Sequence, residues 1–372
     1  MENTIRTRVV DEFVKVVKID SLSLKEEKMF AYLRQRLTGF PVEIEFLPYF
    51  IEELGAGSGN MIVKLPANET GRKSIFFDSH IDTVEPGIGI KPVVTGDRIA
   101  SDGTTILGSD DKAGTAAMLT ALDEILSSDI KHGDIYFLFT SAEEIGLTGV
   151  HYLDYSKIKT DFGFILDSHG KIGGVVVAAP YHIGYEINVK GKASHAGIAP
   201  ELGINAIKIA ARIIGDLPQG KLSKDTVANV GVIDGGQAIN IIPEDCLIKG
   251  ELRSHNTEDV LRLKAEINQA VEKQRKDALD ITLEFNELYK GFSFSKNDEI
   301  IKFAKKAVES LGLTPRFERT GGGSNTNLYN QFSLTSVNLA VGMMDVHSTG
   351  EYIEIDDLEN AVKLILAIVK TA

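Results

Sequence analysis

His80 and His347 stand far apart in a chain of 372 residues, and between them lie Asp82, the pair Asp110–Asp111, the pair Glu143–Glu144 and Asp167. Each has an ordinary explanation when taken alone. A histidine after a strand is commonly a hydrogen-bonded structural residue, and acids at a helix start cap it or complement its dipole. Taken together, His80, Asp110, Glu144, Asp167 and His347 offer two imidazoles and three carboxylates, a donor set suited to two divalent cations. A carboxylate has two oxygens, so Asp110 can bridge two ions while each ion also takes one histidine and one terminal acid. Glu143 is then the general base, because a ligand that already gives its lone pairs to a metal accepts a proton poorly. Mixed nitrogen and oxygen ligands favour two zinc ions per subunit, with manganese or cobalt as alternatives.

These residues need a frame that brings them to one edge. The runs Val42–Phe46, Asn60–Lys64 and Ser74–Asp78 have strand character and are bounded by Gly, Pro or Asn. Asp110–Ser127 reads as a helix with Ala113, Ala116, Ala117, Leu119 and Leu122 on its apolar side, followed by strands at Ile135–Phe139 and Phe162–Leu166. Strands alternating with helices predict an α/β sheet, largely parallel, with its ligands beyond the strand ends. Val9, Phe13, Val16 and Val17 fall at helical spacing, and Ser23-Leu24-Lys25-Glu26 has the capping-box form before a second helix. From about residue 182 the order becomes β-α-β-β-α-β, the split βαβ or ferredoxin-like arrangement. Two domains are therefore expected, 1–181 with 290–372, and an inserted 182–289; a helix at 298–311, a strand at 334–340 and a helix at 356–370 complete the first.

Composition narrows the function classes. Lys and Arg number 40 against 53 Asp and Glu, a net charge of −13, so a phosphate-binding basic stripe is absent and nucleic acid is not an expected partner. Residues of the AVILMFWYC class make up 43%, enough for sizeable cores. Charges interrupt every apolar stretch near the N-terminus, which argues against a membrane span and for a cytoplasmic protein. A single cysteine, Cys246, excludes an internal disulfide.

The motifs HxD, GSDDKAG, SAEEIG, LDSHG and MMDVHSTGE occur in this order from residue 80 to residue 351. They resemble the metal motifs of the peptidase T branch of the aminoacylase, carnosinase and glutamate carboxypeptidase superfamily of dinuclear zinc hydrolases. The resemblance implies a zinc-exopeptidase-like catalytic domain with a mostly parallel mixed sheet, and an inserted lid and dimerisation domain through which a homodimer forms. It matches the same five ligands, assigns Glu143 as base and Asp82 as the acid that orients His80, and implies a cis peptide between Asp110 and Asp111. His195, in Gly191-Lys192-Ala193-Ser194-His195, matches the family histidine that polarises the scissile carbonyl, in its own or the partner's site. Arg253 and Asn240 match residues that hold the substrate's carboxylate or carbonyl, and Gly322 and Gly323 lie in a counterpart of the glycine-rich substrate loop. Asn325 stands where an aspartate is expected, which bears on the polarity of that subsite. The implied reaction is hydrolysis of short peptides by a metal-bridged water, as in a tripeptide aminopeptidase. The alternatives on the same site are an N-acyl-amino-acid deacylase, a dipeptidase and a non-catalytic metal-binding protein.

Overall fold

The computed structural model describes residues 4–372 and separates them into two compact units. The first comprises residues 4–177, 294–319 and 324–372; the second comprises residues 178–293 with 320–323. The boundaries lie at 177/178 and 293/294, a few residues outside the expected 182–289, and they assign Thr320–Gly323 to the second unit.

The first unit is built on a nine-stranded mixed sheet whose longer strands are Glu43–Ile51 (β1), Ala56–Leu65 (β2), Ile75–His80 (β3), Ile135–Thr140 (β4), Phe162–Ser168 (β5), Gly174–Ala179 (β6) and Ser336–Ala340 (β11), with the short pieces Phe292–Ser293 and Arg316–Arg319 beside β6. Their order is β1-β2-β4-β3-β5-β11-β6. The central four, β4, β3, β5 and β11, run parallel, and the antiparallel pairings lie on either side of them. Every residue of β3, β4 and β11 is buried, as expected for parallel strands covered on both faces. Helices Ile5–Val17 (α1), Ser109–Leu126 (α3) and Ile355–Thr371 (α8) pack against one another, and α3 also lies on β3 and β5. The expected stripe of Val9, Phe13, Val16 and Val17 is wholly buried in this core, and the Thr4 hydroxyl accepts the amide of Thr7 to cap α1. Small side chains along α3, including Ala113, Ala116 and Ala117, are fully buried. Two further helices, Glu299–Ser310 (α6) and Asn325–Gln331 (α7), belong to the same unit.

The helix Glu27–Arg36 (α2) departs from the expected capping box. Its N-cap position is Glu26, and no side chain caps it. The strand β6 and the helix α7 have no counterpart in the sequence reading, and neither does a small antiparallel sheet formed by 93–95, 98–100, 343–344 and 352–354.

The second unit contains Tyr181–Lys190 (β7), Ala206–Asp216 (α4), Thr226–Gly235 (β8), Asp245–Ser254 (β9), Thr257–Glu272 (α5) and Asp280–Tyr289 (β10). The sheet order β8-β9-β7-β10, with the short strand Gly220–Lys221 added at the outer edge of β8, is antiparallel throughout, and its four long strands have the ferredoxin-like pairing that the β-α-β-β-α-β order implies. Residues of α4 and α5 join Ile183, Ile187, Ile248 and Leu252 in a core of its own, which includes the buried Cys246.

Candidate metal centre

Parallel strands place the residues that follow them at a common edge. His80 is the last residue of β3, Asp167 lies one residue before the end of β5, and Glu143 and Glu144 follow β4 by three and four positions. Asp110 enters at the start of α3, where Asp110 (φ −82°, ψ 106°) and Asp111 (φ −115°, ψ 34°) are not yet helical. The peptide between them is cis. The two acids separate in role: Asp111 Oδ1 accepts the amide of Gly114 at 3.3 Å and so caps the helix, while the Asp110 carboxylate is turned to the histidines. Both acids are buried, which removes the reading of a solvated cap.

The geometry centres on Asp110. Its Oδ1 lies 3.1 Å from His80 Nε2, and its Oδ2 lies 3.1 Å from His347 Nε2. On the first side, His80 Nε2 is 3.8 Å from Asp167 Oδ1. On the second, His347 Nε2 is 3.0 Å from Glu144 Oε1. Two cradles result, His80–Asp110–Asp167 and Asp110–Glu144–His347, each with its donor atoms within 4.8 Å of one another. A third grouping, His80–Glu143–Glu144, meets the same spacing and brings Glu143 beside them. His347 sits on a loop with φ +60°, and it is the exposed member of an otherwise buried or half-buried set.

Asp82 ties these pieces together. Its Oδ1 is 3.3 Å from His80 Nδ1 and accepts the amide of Glu143 at 3.0 Å; its Oδ2 accepts the amide of Glu144 at 3.2 Å. Three supports escaped the sequence reading. The buried carboxylate of Glu351 accepts the amides of Leu107, Gly108 and Asp110 and the hydroxyl of Ser109, fixing the loop that carries Asp110. Asn338 on β11 receives the Asp167 amide and donates to the Asp167 carbonyl. Lys112 is wholly buried, with Nζ donating to the Ile19 carbonyl, and burial lowers it to about 7. Glu351 falls inside a quoted motif, but nothing in its spacing marks a buried acceptor.

Electrostatics test whether cations fit. Burial raises Glu143 to about 8, with Glu144, Asp82 and Asp110 adding repulsion against the opposing pull of His80. Burial and the charges of Glu143 and Asp110 lift Asp167 well above the usual carboxylate range. His347 is raised to about 10 by the hydrogen bonds it donates to Asp110 and Glu144. Burial opposes the charge on His80, yet Asp110 and Asp82 hold it well above its ordinary value. Glu143, Glu144 and Asp167 are thus pushed toward their protonated forms, while His347 and His80 hold the Asp110 carboxylate below its usual range against its burial. Divalent cations would supply that neutralisation directly, and the oxygen and nitrogen donors suit them.

The remaining predicted residues belong to the second unit. His195 is exposed and its Nδ1 accepts the Gly197 amide at 3.2 Å; the neighbouring Ala196 amide bonds the Asn240 carbonyl, which brings Asn240 beside the His195 turn. Arg253 donates to Glu251 at 3.1 Å, and Glu251 also meets His182 Nε2 at 2.7 Å. Gly323 lies against the ring of Tyr289, where a Cβ would collide. The Gly322 amide donates to Thr320 Oγ1 at 3.1 Å, so that amide is already engaged within the loop.

Asn325 is a correction. It is buried in the first unit and donates to Asp78 Oδ2 and Thr140 Oγ1, both at 3.0 Å, and Thr140 Oγ1 donates to Asp78 Oδ1 at 3.1 Å. An aspartate there would set two buried carboxylates against each other, so the asparagine answers an internal partner rather than a substrate subsite.

Comparison with known proteins adds a family context. Residues 177–279 match the peptidase dimerisation domain, and residues 60–195 match peptidase family M28. The uncharacterized protein YqjE of Bacillus subtilis (strain 168) is 36% identical over 369 residues, covering 98% of each chain. The crystal structure of aminopeptidase PepT from Bacillus cereus ATCC 10987 aligns at a TM-score of 0.88 with 39% identity, covering 98% of both chains. A tripeptidase structure from Staphylococcus aureus subsp. aureus Mu50 aligns at 0.90 with 32% identity over the same share. No helix among the described residues is long and apolar enough to cross a membrane.

Proposed function

We infer the course of the reaction from the family: the chain belongs to the M20 metallopeptidases, within their peptidase T-like group, and is a metal-dependent exopeptidase of short peptides. In this reading His80, Asp110 and Asp167 would hold one cation, and Asp110, Glu144 and His347 a second. Two zinc ions are the proposed complement, supported by the mixed nitrogen and oxygen donors. When bound, the cations supply Lewis-acid polarisation of a carbonyl and raise the acidity of water.

The chain's own residues carry the proton and the substrate. Glu143 takes a proton from the attacking water and returns it to the leaving amine. Its burial raises its affinity for that proton, and its amide is held by Asp82, so the side chain is presented from a fixed turn. His195 is proposed to donate to the oxyanion of the tetrahedral intermediate. Arg253 would hold a substrate carboxylate, its guanidinium steadied by Glu251, with Asn240, Gly322 and Gly323 contributing to the substrate's surroundings.

A homodimer through the second unit belongs to the same proposal. The match to the peptidase dimerisation domain supports it. So does the outer edge of β8, where Val232 and Ile233 are exposed beyond the short pairing of 220–221 with 227–228; an edge of this kind invites pairing with another strand. A cytoplasmic setting is supported by the single buried thiol of Cys246, which leaves the chain no internal disulfide.

The observation that carries the catalytic reading is the placement of one Asp110 oxygen on each histidine. Its test is a panel of tripeptides and dipeptides with free or blocked amino termini, set beside N-acetyl amino acids, on metal-stripped protein reloaded with zinc, manganese or cobalt. Cleavage of free tripeptides with two metal equivalents per chain is expected. Turnover of N-acetyl amino acids alone would replace the aminopeptidase with a deacylase, and one equivalent of metal would remove the bridging role of Asp110.

A further inference from the structure

Ser23 and Glu26 have the spacing of a capping box, yet neither side chain caps α2. Both are directed elsewhere. Ser23 Oγ donates to Asp82 Oδ2 at 2.7 Å. The carboxylate of Glu26, in a residue with no exposed surface, accepts the amides of Leu24 at 2.8 Å and Ala142 at 3.0 Å through Oε1, and the Ser58 hydroxyl at 2.6 Å through Oε2. Leu24 (φ +64°) and Ala142 (φ +51°) are left-handed, a conformation that residues with a Cβ disfavour. One oxygen of Glu26 therefore holds two such turns.

The second of those turns leads directly into the acid pair. Ala142, Glu143 and Glu144 present three successive amides, and two buried carboxylates receive all of them: Glu26 the first, Asp82 the other two. Asp82 also lies against His80. Ser23 thus braces the carboxylate that braces both a histidine and the turn.

We propose that Ser23 and Glu26 are positioning residues of the metal centre, Glu26 setting the turn that presents Glu143 and Glu144, and Ser23 fixing the Asp82 carboxylate behind His80. This inference rests on the reading of Glu143 as base and Glu144 as ligand. It assigns no contact with substrate or metal to either residue; they act through the Ala142 amide and through Asp82. Replacing Glu26 by glutamine sets an amide NH2 among three donors, and replacing Ser23 by alanine leaves Asp82 Oδ2 with the Glu144 amide alone among these partners.

The test compares the full-length wild-type protein with Glu26→Gln, Ser23→Ala and Ser23→Thr. Three quantities are read: zinc affinity by competition with a chromophoric chelator, kcat and KM on a free tripeptide, and the midpoint of thermal unfolding. Glu26→Gln is expected to lower kcat about 10–100-fold with KM within about twofold, the range for residues that support metal ligands. Ser23→Ala is expected to weaken zinc binding by about tenfold, and Ser23→Thr, which keeps the hydroxyl, to restore it. Zinc affinity and kcat both within about twofold of wild type, even with a lowered unfolding midpoint, would reduce the two residues to fold stabilisers and overturn the proposal. Should Glu26→Gln fail to fold, the Ser23 pair decides alone: equal zinc affinity in Ser23→Ala and wild type overturns it, and a loss reversed by Ser23→Thr supports it. An inactive wild-type enzyme would sink the peptidase reading instead, while the zinc affinities would still decide the positioning roles.

Discussion

Glu143 and Glu144 are neighbours with opposite proposed roles, and their separate replacement distinguishes them. Glu143→Ala is expected to keep both metal equivalents by elemental analysis while kcat falls about 10²–10⁴-fold, the usual weight of a general base. Loss of metal from this variant would exchange the two roles, and the closeness of Glu143 to His80 makes that a real alternative. In the sequence His80, Glu143, Glu144 and Asp167 stand out because they lie at or shortly after the ends of apolar strands, and Asp110 because it opens a helix. Their supports do not: Glu351 reaches back more than two hundred positions to the Asp110 loop, and Asn325 reaches Asp78 across a similar separation. Asp78 supplies a pH prediction. Burial raises it to about 6 against the donors Asn325, Tyr329 and Thr140. The folded state then binds the more protons between about pH 4 and 6, so the stability from this group is complete below the unfolded value and declines as pH rises through the folded one. Asp78→Asn should flatten that decline, by roughly 1–3 kcal/mol in urea unfolding of the metal-free protein.

At the level of elements, α3 must approach β5 closely to deliver Asp110. A Cβ on Gly114 would stand 2.7 Å from Asp111 Oδ1 and 2.8 Å from the Leu166 carbonyl, closer than packed atoms sit. Gly114→Ala should therefore push the start of α3 off the strand, with a loss of about 1–3 kcal/mol in urea unfolding and weaker zinc binding. Helix periodicity made α1 and α3 legible, since their apolar faces are continuous. The strand β6 escaped because Gly174-Val175-Val176-Val177-Ala178-Ala179 follows β5 after a short glycine-containing turn and lacks any polar alternation. Ser23 and Glu26 show the converse failure: local spacing matched a capping box, but buried partners at Asp82 and Ala142 outcompeted the helix end. Small strands such as 93–95 and 352–354 are three residues long, too short for a periodic signal.

The whole molecule holds two separate hydrophobic cores, one in each unit, while all the proposed ligands lie in the first unit. Zinc should therefore raise the unfolding temperature of the first unit alone, by about 4 kcal/mol of stabilisation at a thousandfold excess over its dissociation constant. Calorimetry with and without chelator would check this; an equal rise in every resolved transition would mean that the two units unfold as one. The division into two domains was legible from the change of strand and helix order near residue 182, whereas the passage of Thr320–Gly323 into the second unit depends on contacts with Tyr289 that no local pattern records. The ligand candidates also have an order in time. His80, Asp110, Glu144 and Asp167 emerge from the ribosome before the whole second unit, and His347 emerges after it. A growing chain can thus assemble His80, Asp110 and Asp167 early, but the grouping of Asp110, Glu144 and His347 cannot close until the whole second unit has been made, so an ion held there would be captured after that unit's synthesis rather than seed the fold.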